Sequence, residues 1–284
     1  MKGLPDNSIH YSIFSPPFAN LYTYSNSNRD MGNCNDKNQF EIHFEFLVNE
    51  LMRVIMPGRL VSIHCMNLPT SKARDGIIGI RDFRGDIIRM FERAGFVYHS
   101  EVCIWKNPVV AMQRTKALGL LHRQLVKDSC MSRQGIPDYL VTMRKPGENE
   151  QPVSGELAKF VGDQSTFTNT GRLSIDIWQR YASPIWMDIN PSDTLQYRSA
   201  RDHADERHIC PLQLDVIKRG IQLWTNKKDI VLSPFMGIGS EGHVSLLSGR
   251  KFIGIELKKS YYKQAELNMK KVSANKKNIN LFGE

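Results

Sequence analysis

The sequence lacks the features that mark membrane, secreted and repeat proteins. Its 284 residues contain no apolar run of membrane-spanning length, no internal repeat, no low-complexity tract and no signal-peptide pattern. We therefore predict a cytoplasmic protein that has no membrane partner. Its five cysteines are an odd number, and no two of them are spaced as CxxC. This pattern predicts free thiols, and it argues against a disulfide framework or a metal site.

The composition predicts a basic globular protein of one domain, or of one domain with an inserted module. The hydrophobic fraction of 41% and the charged fraction of 24% are ordinary values, so the chain can bury a substantial core. The net charge of +9 favours a polyanionic partner, because each neutralised phosphate releases counterions. The basic residues are dispersed, so charge alone also fits a basic protein without such a partner.

Short apolar segments alternate with amphipathic segments along most of the chain. Helical periodicity predicts helices at Phe40–Ile55, ended by Pro57-Gly58, and at 82–94, 212–224 and 260–272. Strands that alternate with helices predict an α/β fold whose parallel or mixed sheet is covered on both faces. The predicted strands share β-branched or aromatic residues and flanking turn formers: His10–Phe14, Leu60–His64, Val97–Trp105, Tyr139–Met143, Ile230–Leu232 and Phe252–Ile255.

The stretch from Asn107 to about Arg207 differs from its flanks. Its pattern is irregular, with scattered glycine, proline, serine, threonine and asparagine, a turn at Pro146–Asn149 and a loop-like run at Gly162–Gly171. We interpret this stretch as an insertion into the α/β core and not as a second independent domain.

The first candidate site is Ser15-Pro16-Pro17-Phe18, directly after a predicted strand. The two prolines lack backbone donors and fix φ, so the turn is a rigid platform with outward carbonyls. An exocyclic amine is a poor nucleophile because its lone pair is delocalised into the base. The Ser15 hydroxyl and the Pro16 carbonyl can accept its two hydrogens and favour a tetrahedral nitrogen, and Phe18 can stack on an extruded base. Taken alone, the motif fits a structural turn at a strand end, with a buried phenylalanine, better than it fits a catalytic site.

The second candidate site runs from Asp229 to Ser240 and contains Ser233-Pro234-Phe235, Gly237 and Gly239. A strand, a glycine turn and a helix in this order let backbone approach a ligand closely. Glu256 ends the next predicted strand, where an acid can accept the two hydroxyls of a ribose. The full GxGxxG fingerprint of pyrophosphate binding is absent, which favours a nucleoside cofactor without phosphates.

The two motifs together resemble the DNA amino-methyltransferases of the N4-cytosine and N6-adenine class, in their circularly permuted β order. In that order a (D/S)PP(Y/F/W) catalytic motif comes first, a target-recognition region follows, and a DPFxGxG cofactor motif comes last. The similarity spans nearly the whole chain, and the joint match is specific although each piece alone is weak. Further matching segments are Pro57–Val61, Trp105–Pro108, His208–Ile217, Gly249–Glu256, Tyr261-Tyr262 and Ala265.

The resemblance implies a Rossmann-like sheet, the cofactor S-adenosylmethionine and catalytic roles for Ser15, Pro16, Pro17 and Phe18. It divides the chain into a catalytic half at 1–106, a target-recognition insert at 107–207 and a cofactor-binding half at 208–284. The implied cofactor-binding residues are Ser233, Pro234, Phe235, Gly237, Gly239, Glu256, His208 and Leu212.

The resemblance also implies double-stranded DNA as the partner, with the insert as the candidate region for sequence recognition. Arginine and glutamine can read purine edges in the major groove, although any one of them more often contacts phosphate. The resemblance leaves open a homodimer and a cognate restriction endonuclease on a separate chain. The candidate DNA-binding residues are Arg114, Lys116, Arg123, Gln124, Lys127 and Arg133.

The sequence departs from the family pattern at three places. Ser233 stands where aspartate is usual, and Ser240-Glu241 stands where Thr-Thr is common. Family members usually begin with a strand that ends in Gly-Asp, whereas Met1 falls inside the turn that would follow that strand. We therefore expect this form to bind S-adenosylmethionine more weakly than an N-terminally extended one.

Ser15 favours cytosine N4 over adenine N6 by a small margin, because the resemblance pairs Ser-Pro-Pro with N4-cytosine enzymes and Asp-Pro-Pro with N6-adenine enzymes. A C5-cytosine enzyme would need a cysteine nucleophile on a Pro-Cys turn, and Cys210-Pro211 has the reverse order. We interpret His64 and His208 as packing or helix-start residues and not as catalytic bases. Two other functions stay open: methylation of RNA or protein, and an inactive DNA-binding remnant without a complete cofactor site.

Overall fold

The computed structural model describes residues 1–17, 30–34, 37–115, 120, 122–154, 177–196 and 211–281. Its strands are β1 Ile9–Phe14, β2 Ile55–Met66, β3 Leu68–Pro69, β4 Ile80–Arg81, β5 Val97–Ile104, β6 Asp138–Arg144, β7 Ile185–Trp186, β8 Ile230–Ser233 and β9 Lys251–Gly254. Its helices are α1 Lys37–Val54, α2 Lys72–Asp75, α3 Phe83–Arg93, α4 Pro108–Thr115, α5 His122–Lys127, α6 Leu214–Trp224, α7 Ser240–Leu247 and α8 Lys259–Leu281.

Seven strands form one mixed sheet in the order β7-β5-β6-β2-β1-β8-β9, and β3 and β4 pair as a separate ribbon. All neighbours in the main sheet are parallel except those of β6, which runs antiparallel to β2 and to β5. The carboxyl ends of β1, β2, β8 and β9 therefore lie at one edge. Since Tyr11 of β1 pairs with Val231 of β8, the chain leaves these two strands side by side.

Helices cover both faces of the sheet, which is why the central strands are apolar with little alternation. On one face α1 and α3 bury Phe44 and Phe91 against the sheet. On the other face α6 buries Ile217 and Ile221 against Tyr11. None of the described helices is both long enough and apolar enough to cross a bilayer.

The expected α/β class is confirmed, and all six predicted strands lie in the main sheet. The four predicted helices correspond to α1, α3, α6 and α8, with shifted ends. Leu212 precedes α6 instead of opening it, and α8 continues beyond the predicted end at Val272. Helix α1 ends at Val54, before Pro57-Gly58, because Ile55 already pairs with β1.

The description of 107–207 as an irregular insert needs a correction. Strands β6 and β7 lie inside this stretch and belong to the main sheet, because β6 fills the gap between β2 and β5. The segment 105–137, which carries α4 and α5, leaves the sheet after Ile104 and returns at Asp138. Ile104 and Asp138 are paired across β5 and β6, so this segment leaves from and returns to the edge that carries the turns after β1 and β8.

Candidate active and cofactor site

The predicted catalytic turn continues β1 at the carboxyl edge of the sheet. The ring of Phe14, the last residue of β1, lies 5.7 Å from the ring of Phe235 between centroids. Pro16 is buried, and Ser15 is partly exposed at the edge. The structure therefore brings the two predicted motifs together from opposite ends of the chain. Phe18, the fourth residue of the first motif, lies outside the described residues.

Two glycines in the left-handed region shape the turn after β8. Gly237 has a φ of 53° and Gly239 a φ of 86°, which residues with a Cβ adopt only at a cost. Gly239 packs on α8, where an added Cβ would lie 3.0 Å from the Cβ of Ala265. A Cβ at Gly237 would point into open space, with no described heavy atom within 4 Å. The turn thus combines close helix packing with room for a ligand beside Gly237.

Glu256 follows β9 and holds the glycine turn. Its Oε2 accepts the Gly237 N–H at 2.8 Å, and its Oε1 accepts the Lys258 N–H at 2.8 Å. Burial raises the pKa of Glu256, although the backbone N–H groups oppose that rise. Each carboxylate oxygen keeps a second lone pair, so a carboxylate fixed in this way can also accept two ribose hydroxyls.

Two buried hydroxyls in this region have no partner within the described part of the chain. They are the Oγ atoms of Ser233 and Ser240, at the start and the end of the turn. An unpaired buried hydroxyl costs free energy unless a water or a ligand bonds to it. Together with the space at Gly237 and the Glu256 carboxylate, these hydroxyls fit the polar groups of an adenosine-type cofactor.

The other predicted cofactor residues have different places. Pro234 is buried within the turn, and Phe235 packs against Phe14. Leu212 is buried in the core between α6 and the sheet, so its described contacts are those of packing. His208 lies outside the described residues.

A series of contacting polar side chains leads from the catalytic turn into the sheet. Ser15 Oγ lies 3.3 Å from His64 Nδ1, and His64 Nε2 lies 3.2 Å from one carboxylate oxygen of Asp138. The Lys106 ammonium donates to the other oxygen of Asp138. Burial alone would raise the pKa of Asp138, but the charge and hydrogen bond of Lys106 and the contact with His64 lower it, so the carboxylate is ionised.

This series of polar side chains was not predicted from the sequence, because His64 was interpreted there as a packing residue. His64 lies at the carboxyl end of β2 and is buried, but its ring contacts the Ser15 hydroxyl. The available signal was a polar residue that follows the run Leu60–Ile63, in which only Ser62 is polar, at the same edge as the Ser-Pro-Pro turn. Asp138 could not be connected with it, since their strands meet only through the antiparallel pairing of β2 and β6.

The predicted DNA-binding side chains that the structure describes lie in the segment 105–137. Arg123 and Lys127 are exposed on α5, which buries none of its residues, and Gln124 is half-buried there. Arg133 is half-buried, its Nη1 donates to the Gln134 carbonyl at 3.2 Å, and desolvation lowers its pKa. Outside the described part lie the side chain of Arg114 and the whole of Lys116.

An open cavity of about 610 Å³ lies elsewhere, beside α6 and α7. Its lining includes Asp188, Asp215, His243 and Arg250, and no residue of either strand-end turn. None of its lining residues is a glycine, so the backbone does not offer a ligand the close approach that it offers at Gly237.

Fold and site together define an α/β protein with a nucleoside-cofactor turn beside a rigid polar turn. A family model described as DNA methylase, of the N6 and N4 methyltransferases, matches residues 9–267. The chain belongs to this family, whose members are S-adenosylmethionine-dependent DNA amino-methyltransferases of the N4-cytosine or N6-adenine kind. The predicted family, enzyme class and cofactor are therefore confirmed.

Curated relatives are similar over different lengths. The type II methyltransferase M.BglII of Bacillus subtilis is 38% identical over 263 residues, which are 91% of this chain and 62% of that protein. The DNA adenine methyltransferase YhdJ of Escherichia coli K12 is 36% identical over 98 residues, which are 34% of this chain and 33% of that protein.

Solved structures share the fold at low sequence identity. A candidate DNA modification methylase of Thermus thermophilus, complexed with S-adenosyl-L-methionine, has a TM-score of 0.67 at 19% identity and covers 95% of this chain and 89% of its own. The cytosine-N4-specific PvuII DNA methyltransferase has a TM-score of 0.60 at 16% identity, and the match covers 96% of this chain and 86% of the PvuII chain. These likenesses confirm the Rossmann-like methyltransferase sheet.

Replacing Gly239 by alanine is expected mainly to lower stability, whereas replacing Gly237 by alanine is expected mainly to weaken cofactor binding. Gly239→Ala adds a close contact with Ala265 to the backbone cost and should lower the free energy of unfolding by about 2–3 kcal/mol. Gly237→Ala meets open space and should cost only about 1 kcal/mol, but its methyl group enters the proposed cofactor space. Denaturant unfolding and calorimetry with S-adenosylmethionine measure the two effects. If both folded variants lost the same affinity for S-adenosylmethionine, the distinction between the two glycines would be contradicted.

Glu241 is expected to make the cofactor-free protein less stable as the pH rises. It is buried in the first turn of α7, and burial, with the nearby Glu256 charge, raises its pKa to about 8. Above the ordinary carboxyl pKa the unfolded chain releases this proton while the folded chain keeps it, so stability falls from about pH 4.5 to about pH 8. The advantage of Glu241→Gln over wild type should therefore grow by roughly 3 kcal/mol across this window. Denaturant unfolding at pH 5 and pH 8, with Glu266→Gln as control, tests it, and a pH-independent difference contradicts it.

Proposed function

We propose that this chain is a site-specific DNA methyltransferase that transfers a methyl group from S-adenosylmethionine to N4 of a cytosine flipped out of the duplex. The observation that carries the proposal is the position of the Ser15-Pro16 turn beside the glycine turn, at the ends of adjacent parallel strands. A base bound at the first turn would face a cofactor bound at the second.

The residues of the catalytic turn would activate the target amine. Ser15 Oγ and the Pro16 carbonyl each accept one of its hydrogens, which draws the nitrogen lone pair out of conjugation with the base. Pro16 and Pro17 fix the backbone, so the acceptors are held in place before the base arrives. S-adenosylmethionine, when bound, supplies the methyl group to this nitrogen. Phe18 would stack on the flipped base.

The serine favours cytosine N4 as the target, and adenine N6 is the alternative. A neutral hydroxyl accepts from the amine, whereas an aspartate could also influence the departing proton. The cytosine-N4-specific PvuII enzyme shares the fold, and the relative YhdJ is an adenine methyltransferase, so relatives support both bases. Because residue 15 is a serine, we rank cytosine N4 ahead of adenine N6 as the target.

We propose that the segment 105–137 contacts the DNA. It begins and ends at the edge of the sheet that carries both turns, so a flipped base and its duplex would meet it. Helix α5 exposes Arg123 and Lys127 together with the apolar side chains of Leu125 and Val126. Cationic side chains on a helix with no buried residue are suited to bind phosphates.

Removal of either exposed cation on α5 is expected to weaken binding to any duplex. Arg123→Ala or Lys127→Ala should reduce the slope of log affinity against log salt by about 0.9 for each lost phosphate contact. Fluorescence anisotropy at several salt concentrations, on DNA of two unrelated sequences, measures the slope. Lys270→Ala, an exposed lysine on α8, is the matched control. An unchanged slope in both α5 variants would remove this segment from the interface.

The proposed function is tested by nucleoside mass spectrometry and long-read sequencing of DNA from a methylation-free host that expresses this chain. We expect N4-methylcytosine within one recurring sequence. N6-methyladenine alone would overturn the choice of base. The absence of any methylated base, with DNA binding retained, would instead indicate an inactive remnant.

A further inference from the structure

The hydroxyl of Ser15 has one hydrogen, and its direction decides what the serine can do. To activate an amine, the oxygen must accept an amine N–H, so its own hydrogen has to point elsewhere. The His64 Nδ1 atom, 3.3 Å away, is the described group placed to take it. It can do so only if Nδ1 carries a lone pair and the proton of the neutral ring is on Nε2.

Asp138 selects that form of the ring. One of its oxygens lies 3.2 Å from His64 Nε2, and the negative charge of the carboxylate favours a proton on this nearer ring nitrogen. The Lys106 ammonium bonds to the other oxygen and helps to keep the carboxylate ionised. His64 and Asp138 expose only 9% and 3% of their side chains, so water competes little for these contacts.

We infer that His64, held in its Nε2-protonated form by Asp138 and Lys106, is a positioning residue that accepts the hydrogen of Ser15 and so leaves the lone pairs of Ser15 for the target amine. The inference rests on the proposed function, since it assigns His64 a role in amine methylation. Catalytic contact with the amine stays with Ser15 and Pro16. The sequence motif therefore extends beyond Ser-Pro-Pro to a histidine on β2, an aspartate at the start of β6 and a lysine after β5.

Three variants separate this role from mere packing. His64→Ala removes the acceptor and should lower the single-turnover rate of DNA methylation about 30-fold, with unchanged S-adenosylmethionine affinity. His64→Asn keeps an oxygen near the place of Nδ1 and should recover most of that loss. Asp138→Asn should be as slow as His64→Ala. Lys106 would bind the amide oxygen and leave the amide N–H groups facing His64, which favours the wrong tautomer.

The tautomer can also be measured without any activity. In protein labelled with ¹⁵N-histidine, the His64 signals, identified by their loss in His64→Asn, should report a proton on Nε2 in wild type and on Nδ1 in Asp138→Asn. His99→Asn, an exposed histidine at the far end of β5, is the matched control. A wild-type ring protonated on Nδ1, or a His64→Ala enzyme within threefold of the wild-type rate, would overturn the inference while DNA methylation itself stands. A folded wild type that methylates no base would instead refute the proposed function.

Discussion

Ser15→Ala is expected to lower the single-turnover rate of DNA methylation by about 1,000-fold, the scale on which enzymes lose rate when one pre-organised polar contact to the reacting group is removed. The alanine cannot accept from the amine, so the nitrogen lone pair stays conjugated with the base. The affinity for S-adenosylmethionine should not change, because the cofactor turn belongs to β8 and β9. Rapid-quench assays with tritiated cofactor and a duplex substrate measure the rate.

Ser8→Ala is the matched control for this experiment. It removes a serine hydroxyl that precedes β1 and donates to the Pro5 carbonyl at 2.7 Å, at the opposite edge of the sheet. Its rate should equal that of wild type. A Ser15→Ala enzyme that keeps more than a tenth of the wild-type rate would show that the amine is activated by other groups.

Glu256→Ala is expected to weaken S-adenosylmethionine binding by on the order of 100-fold, because two hydrogen bonds from ribose hydroxyls to a carboxylate are lost together. Glu256 also accepts the backbone N–H groups of Gly237 and Lys258, so part of the loss could come from a disordered turn. An analogue of the cofactor without the 2′-hydroxyl separates these causes. The variant should discriminate against this analogue much less than wild type does. Glu266→Ala on α8 serves as the control.

Equal discrimination by wild type and Glu256→Ala would contradict a ribose contact. The loss of affinity would then reflect only the shape of the turn. Unfolding experiments without ligand provide the second check, since a collapsed turn should lower stability whether or not the cofactor is present.

The sequence was sufficient to predict the elements that carry local signals. The strands and the two turns combine apolar runs with proline or glycine at the position where the chain reverses, and these signals need no distant partner. The sequence pattern of Gly237 and Gly239 indicated a tight turn, and their positive φ angles agree with it. The resemblance to the methylase family then implied that the two turns form one site.

What could not be predicted depends on contacts between distant segments. Strand β7 has only the two residues Ile185–Trp186, and it exists because it pairs with the end of β5. Helix α5 buries none of its residues, so its sequence carries no apolar face that would predict it. The contact of His64 with Asp138 requires the register of β2 against β6, which no residue pattern near either one reveals.

A crystal structure with bound S-adenosylhomocysteine would test most directly whether the two turns form one active site. We expect the ribose hydroxyls to bond to Glu256, the adenosine to lie beside Gly237 and the sulfur to face Ser15. A ligand bound instead in the cavity lined by Asp188, His243 and Arg250 would contradict it.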